Sequence, residues 1–269
     1  MTGPMPEVYT HGHHESVLRS HAWRDVANSA AYLAPHLRPG MSLLDVGCGP
    51  GTLTIDLARH VAPGRVVGID PVAEVLDGAR ARAEDAGVAV ELATGDVYSL
   101  DFPDDTFDVV HAHQVLQHLT DPVAALREMR RVARPGGIVA VRDSDYGAFT
   151  WFPASPGLDD WRHLYREVTA ANHAECDAGR HLLSWFRAAG FADVAPGASA
   201  WCFATPDDRA WWSSLWSERV LHSDFARQAR GYGLADDVTL EQLHDAWLEW
   251  GSAPDGWFAV LHGEVIARA

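Results

Sequence analysis

The chain has 269 residues, 47% hydrophobic and 22% charged, which is enough apolar material for one large domain with an appended element. A formal net charge of −16 disfavours phosphate backbones and anionic lipid, and no run reaches the ~18 apolar residues of a bilayer span, so neither nucleic acid nor membrane is an expected partner. All 21 basic residues are arginines, which closes the P-loop and Schiff-base chemistries that need lysine; three scattered cysteines suit neither a disulfide framework nor a cysteine zinc site, and a cytoplasmic location is expected.

In chain order, a polar start (YTHGHH) leads into a helical pattern from about Glu15 to Leu37, stopped by Pro39 and Gly40. An alternation follows: strand 42–46, helix Thr52 to Val61, strand 65–70, helix 72–86, strand 88–95, strand 107–113, helix Pro122 to Ala133 and strand 136–143. Strands and helices taking turns predict an α/β domain, a parallel sheet with helices on both faces and ligands beyond the carboxyl ends of the strands. After Asp145 aromatic residues accumulate, with helical stretches near 158–174, 180–189, 206–230 and 239–250 and two further strands near 200–204 and at the end, expected as an antiparallel edge. The division expected is 1–40 as an N-terminal lid region, 41–145 as the ligand-binding core, and 146–269 as a helical cap plus the last two strands.

The informative stretch is LLDVGCGPG, residues 43–51. A strand delivers Asp45, and then Gly47, Cys48, Gly49 and Gly51 form a turn before a helix, where backbone and ligand can approach closely. Asp70 closes the next strand at the spacing where a carboxylate accepts ribose hydroxyls, and Asp96 follows the third strand, where it could meet an adenine amino group. Thr52 stands where a dinucleotide fingerprint has its third glycine, and several carboxylates would repel a pyrophosphate. They suit a nucleoside carrying an ammonium and a sulfonium, which describes S-adenosylmethionine.

With LLDVGCGPGTLT, VVGID, GDVYSLDFPDDTFDVVHAHQVLQHL and LREMRRVARPGGIVAV in order and spacing, residues 42–143 resemble the class I S-adenosylmethionine-dependent methyltransferases of the ubiquinone/menaquinone C-methyltransferase-like group. The resemblance implies a Rossmann-like, seven-stranded, mostly parallel sheet with an antiparallel last strand. It also implies that Asp45, Gly47 and Gly49 lie by the methionine part, Asp70 by the ribose, Pro71 on the adenine face, Asp96 and Val97 at its edge, and the backbone near His113 and Gln114 by the ammonium. The roughly 110 residues after Asp145 exceed the minimal fold, so the acceptor is not implied.

Methyl transfer is an in-line displacement that depends chiefly on positioning, so any acid/base role is secondary. Asp143, at the end of the fifth strand, is the first candidate to orient or deprotonate an acceptor, set against a helix cap or loop turn. His118 and His13 are the other two candidates, with a packed or solvated histidine as the plain alternative. Tyr9, His13 and Arg19 are expected to fold over the cofactor as a lid, and no metal is expected. The late tryptophans read either as pocket walls or, preferably, as a second core or a dimer surface. The expected function is methyl transfer to a small molecule, the alternatives being a nicotinamide oxidoreductase or a cofactor-binding protein without turnover; a homodimer is open.

Overall fold

The computed structural model describes residues 8–12 and 14–269. It begins with α1 (Glu15–Ala22) and α2 (Val26–Ser29), not with one helix reaching Leu37. Asp25 causes the break. Its carboxylate accepts the Asn28 N–H at 2.8 Å while the Asn28 side chain accepts the Asp25 N–H at 3.1 Å, a reciprocal cap that starts a new helix.

The alternation then runs as expected: β1 (Leu43–Val46), α3 (Thr52–Val61), β2 (Val66–Asp70), α4 (Ala73–Asp85), β3 (Glu91–Thr94), β4 (Phe107–His113), α5 (Pro122–Val132) and β5 (Ala133–Ser144). Beyond it lie β6 (Thr150–Phe152), α6 (Pro156–Ala171), α7 (Ala178–Ala188), β7 (Val194–Phe203), α8 (Pro206–His222), α9 (Asp224–Gly231), α10 (Asp237–Ser252) and β8 (Trp257–Arg268). The helical stretch expected over 206–230 is thus two helices, separated at Ser223, whose backbone is extended.

Strands β3, β2, β1, β4 and β5 pair side by side in parallel, and β8 runs antiparallel between β5 and β7. The described residues hold eight strands, one more than the seven expected. β8 outlasts β5, which pairs only with its Gly263 to Arg268 half and His262, and Thr150–Phe152 pair with the Trp257 to Ala259 stretch left over. Because the chain winds outward from β1 to β3 and then returns to place β4 on the other side of β1, a crevice opens beyond the carboxyl ends of β1 and β4.

The residues of β1 are all buried, as a central parallel strand requires. Successive side chains enter opposite layers. Leu44, Val46, Val110, Val139 and Val141 pack with Leu126 and Met129 of α5 and Leu182 and Phe186 of α7. Leu43, Val109, Ile138 and Ala140 meet Val26 and Leu33 on the N-terminal side and Leu57 of α3. A third core is rich in aromatic side chains: Trp161 packs edge-on to Trp216 (4.5 Å) and Trp247 (4.8 Å), and Phe203 stacks on Trp212 (4.2 Å). Most of the late tryptophans therefore hold α6, α8 and α10 together, the second-core reading. No helix among the described residues is long and apolar enough to cross a membrane.

Candidate active site

A cavity of about 840 Å³ lies beyond the carboxyl ends of β1, β2 and β4, and the glycine turn after β1 forms one of its walls. Gly47, Gly49 and Gly51 all have φ between 51° and 80°. A Cβ on Gly47 would meet Val115 Cγ2 at 2.5 Å, whereas one on Gly49 would have His21 Nδ1, another wall atom, as its nearest neighbour at 3.8 Å and would occupy the cavity margin. The turn is kept open for something other than protein.

Asp70 reaches back across it. One carboxylate oxygen accepts the Gly49 N–H at 3.0 Å and the other the Val72 N–H at 3.0 Å, so the turn is clamped to the end of β2 while the carboxylate borders the cavity. Asp96 accepts the Tyr98 N–H at 2.9 Å and lines the same wall with Val97 and Pro71. Cys48, Gln114 and His113 complete the floor, and Tyr9 closes from the N-terminal segment. Asp45 is buried and engaged on both oxygens, by the Thr54 hydroxyl at 2.6 Å and by His111 Nδ1 at 2.7 Å; it braces the turn from beneath. Among the described residues lining this cavity Arg24 is the one guanidinium, against Asp45, Asp70, Asp96 and Asp121. That balance suits a cationic nucleoside and disfavours a pyrophosphate.

The comparisons with known proteins agree with this chemistry. A family model described as a methyltransferase domain matches residues 37–190. An uncharacterized methyltransferase of Schizosaccharomyces pombe is 33% identical over 100% of this chain and 99% of its own length. The probable methyltransferase ltbC of Aspergillus luteorubrus is 31% identical, covering 96% of each. The chain belongs to the S-adenosylmethionine-dependent methyltransferases. Two solved structures share the fold: the YcgJ protein of Bacillus subtilis (TM-score 0.55, 19% identity, 89% of this chain and 98% of that one) and a Haemonchus contortus phosphoethanolamine N-methyltransferase 2 with bound S-adenosylhomocysteine (TM-score 0.53, 20% identity, 85% and 49%). S-adenosylmethionine is the cofactor of this methyltransferase, and the acidic lining of the cavity at Asp70 and Asp96 and the open face of Gly49 fit it.

Not every residue singled out from the methyltransferase sequence lies in the cavity. Gly51 is at the helix start, where a Cβ would come within 2.8 Å of Ala79 Cβ; its bareness serves the contact between α3 and α4. Arg19 is bound to Glu218 of α8 at 2.7 Å and does not line the cavity. His13 lies outside the described residues. Asp143 is fully buried behind the turn after β4: one oxygen accepts the Gln117 N–H at 3.1 Å, the other has no partner, and neither faces the cavity. Burial pushes its carboxyl up to about 7. Asp145, two residues on, caps the turn at Tyr146 and holds Arg180 with both oxygens, as a loop carboxylate would.

His118 does reach the cavity, from a short 3-10 turn (Leu116–His118). Its Nε2 is 3.0 Å from the Gln117 amide nitrogen and its edge meets the Tyr9 ring at 4.8 Å. Burial, with Arg24 adding to it, holds the ring down to about 3, so it is neutral at physiological pH. His118, His21, Arg24 and Gln114 also border a second, smaller chamber of about 30 Å³ under the cap, whose remaining walls include His11, Tyr146, Trp201, Trp216 and Arg219. The sequence singled out neither Arg24 nor Arg219, because each reads as an ordinary polar position in a helical pattern and acquires its surroundings from residues distant in the chain.

Proposed function

We propose that the methyl acceptor is a small molecule bound where the two cavities meet, at His21, Arg24, Gln114 and His118. The observation that carries this reading is the shared wall: these four side chains line both the cofactor cavity and the smaller chamber under the cap. The cofactor, when bound, supplies a methyl group on a sulfonium, and the protein's task is to hold an acceptor atom roughly 3 to 3.5 Å from it in line. Gln114 fixes the shape of the junction, since its amide nitrogen donates to the Ser144 hydroxyl at 2.7 Å and lies 2.9 Å from His262 Nε2 while its oxygen accepts from Arg24. It sits at φ 55°, a strained backbone held by the surrounding hydrogen bonds.

A side-chain base has little place in this arrangement. Asp143 has a suitable protonation range but no access to the acceptor; His118 has access but is a weak base. Arg24 at the junction instead favours the deprotonated form of an acceptor hydroxyl or thiol by its charge. The strongly acidic net charge supports a small acceptor over a nucleic acid.

The test is to incubate the protein with labelled S-adenosylmethionine and a panel of phenols, quinols, thiols and amines and to follow methylated products by mass. Mass gain of one methyl on a panel member is expected; the absence of any transfer, with S-adenosylhomocysteine still raising the melting temperature, would favour cofactor binding without turnover. NAD is expected to leave the melting temperature unchanged.

A further inference from the structure

The chain carries a net charge of −16, yet two guanidinium groups converge on the small chamber without a carboxylate partner among the described residues. Arg219, on α8, is 4% exposed. One of its nitrogens donates to the Ser16 carbonyl at 2.8 Å and the Ser20 hydroxyl at 2.5 Å, its plane lies 4.9 Å from the Trp216 ring, and its Nε–H has no hydrogen-bond partner. Arg24, half-buried at the junction, donates to Gln114 and lies 5.9 Å from the Trp201 ring; its Nε–H is likewise without a partner. The third arginine of this region, Arg142, is different: it is neutralised by Glu264 at 3.1 Å.

Two cations facing one enclosed space repel each other, and an unpaired buried charge is costly. The other titratable groups on the chamber walls do not offset them, since His11, His21 and His118 are held neutral by burial and Tyr146 is kept protonated by it. Each guanidinium borders the chamber and keeps a buried Nε–H without a protein acceptor, and a guanidinium fork suits a planar anion. A chamber of about 30 Å³ has room for one or two waters, hence for a carboxylate but not for a ring. Just outside it, the end of the large cavity is walled by Tyr9, His21 and His118.

Resting on the reading of this junction as the acceptor site, we propose that the acceptor is an aromatic acid, its carboxylate seated between Arg24 and Arg219 and its ring lying toward Tyr9 and His118. The anion enters the chamber, and the group to be methylated stays at the junction by Gln114. Trp201 and Trp216 hold the two guanidinium planes in place by their ring faces.

The experiment uses the full chain saturated with S-adenosylhomocysteine and titrates it with 2-naphthoate and with its neutral isostere 2-naphthamide. The acid is expected to bind about tenfold or more tightly than the amide, as a charge-assisted contact predicts. Arg219→Gln should bring the two probes within roughly threefold of each other while the amide affinity stays put, and Arg219→Lys should keep part of the preference. Where Arg219→Gln fails to fold, the same comparison is made with Arg24→Gln. Equal binding of acid and amide by the native protein, or binding of neither, overturns the aromatic-acid proposal while leaving the methyltransferase site intact. A preference for the acid that Arg219→Gln and Arg24→Gln both leave unchanged would instead overturn the junction reading, and the proposal with it.

Discussion

At the residue scale, three carboxylates that the sequence singles out do three different jobs. Asp45 is consumed by Thr54 and His111, Asp70 clamps the glycine turn and faces the cavity, and Asp143 is sealed away from it. Asp70→Ala should therefore weaken S-adenosylhomocysteine binding by roughly 10- to 100-fold, the scale of one or two lost charge-assisted hydrogen bonds, measured by calorimetry on protein whose unliganded melting is checked in parallel. Asp143→Asn should leave cofactor affinity unchanged but alter stability. The folded carboxyl titrates near 7 and the unfolded one near ~3.9, so its favourable protonated contribution is present at low pH and is lost as pH rises through 7. The variant escapes that loss. Its melting temperature relative to the native protein should climb between about pH 4 and 8, by an amount equivalent to ~2–4 kcal/mol at most; a flat difference would contradict the assignment.

At the element scale, the N-terminal segment borders the large cavity and the cap. Tyr9 lines the large cavity, His11 hydrogen-bonds to the Tyr165 hydroxyl at 2.9 Å within the cap, and the Thr52 hydroxyl at the start of α3 donates to the His21 carbonyl at the end of α1. Thr52, which argued against a dinucleotide in the sequence, thus also ties the segment to the glycine turn. Arg219 grips the same helix through Ser16 and Ser20. Removing residues 1–20 should cut S-adenosylhomocysteine affinity by about tenfold, since one wall is lost while Asp70, Asp96 and the turn remain. Calorimetry on the truncated chain measures this directly, and an unchanged affinity would remove the segment from the site.

At the scale of the whole molecule, the sheet and the aromatic cap are joined by buried neutral histidines. His11, His21, His113, His118 and His262 are all shifted downward, chiefly by burial. In the unfolded chain each binds a proton below about 6.5, while the folded chain does not, so acid favours unfolding. The protein should hold its melting temperature near neutral pH and lose it progressively as pH falls below about 6.5, a trend that opposes and outweighs the Asp143 effect because five groups contribute. Thermal melts from pH 8 to 5 test it, and a melting temperature that rises on acidification would contradict the neutral histidines.

What the sequence determined by itself are the features whose causes lie within about 30 residues. The βα alternation, the LLDVGCGPG turn and Asp70 and Asp96 at strand ends are each written in local periodicity and spacing, and the structure has them within a few residues of where periodicity places them; of the two closing strands, β7 starts at Val194, ahead of the expected 200–204. Two local signals were read incompletely: the Asp25–Asn28 cap inside an apparently continuous helix, and the extended Ser223 that splits another. The remainder was decided by tertiary structure. Asp143 looks like a residue on the active rim until the Gln117 turn folds over it, and Arg24 and Arg219, 195 positions apart, become neighbours only when α1 packs beneath α8. Burial, the loss of a charge's partner and the closing of a chamber arise from long-range packing, and no window of adjacent residues contains them.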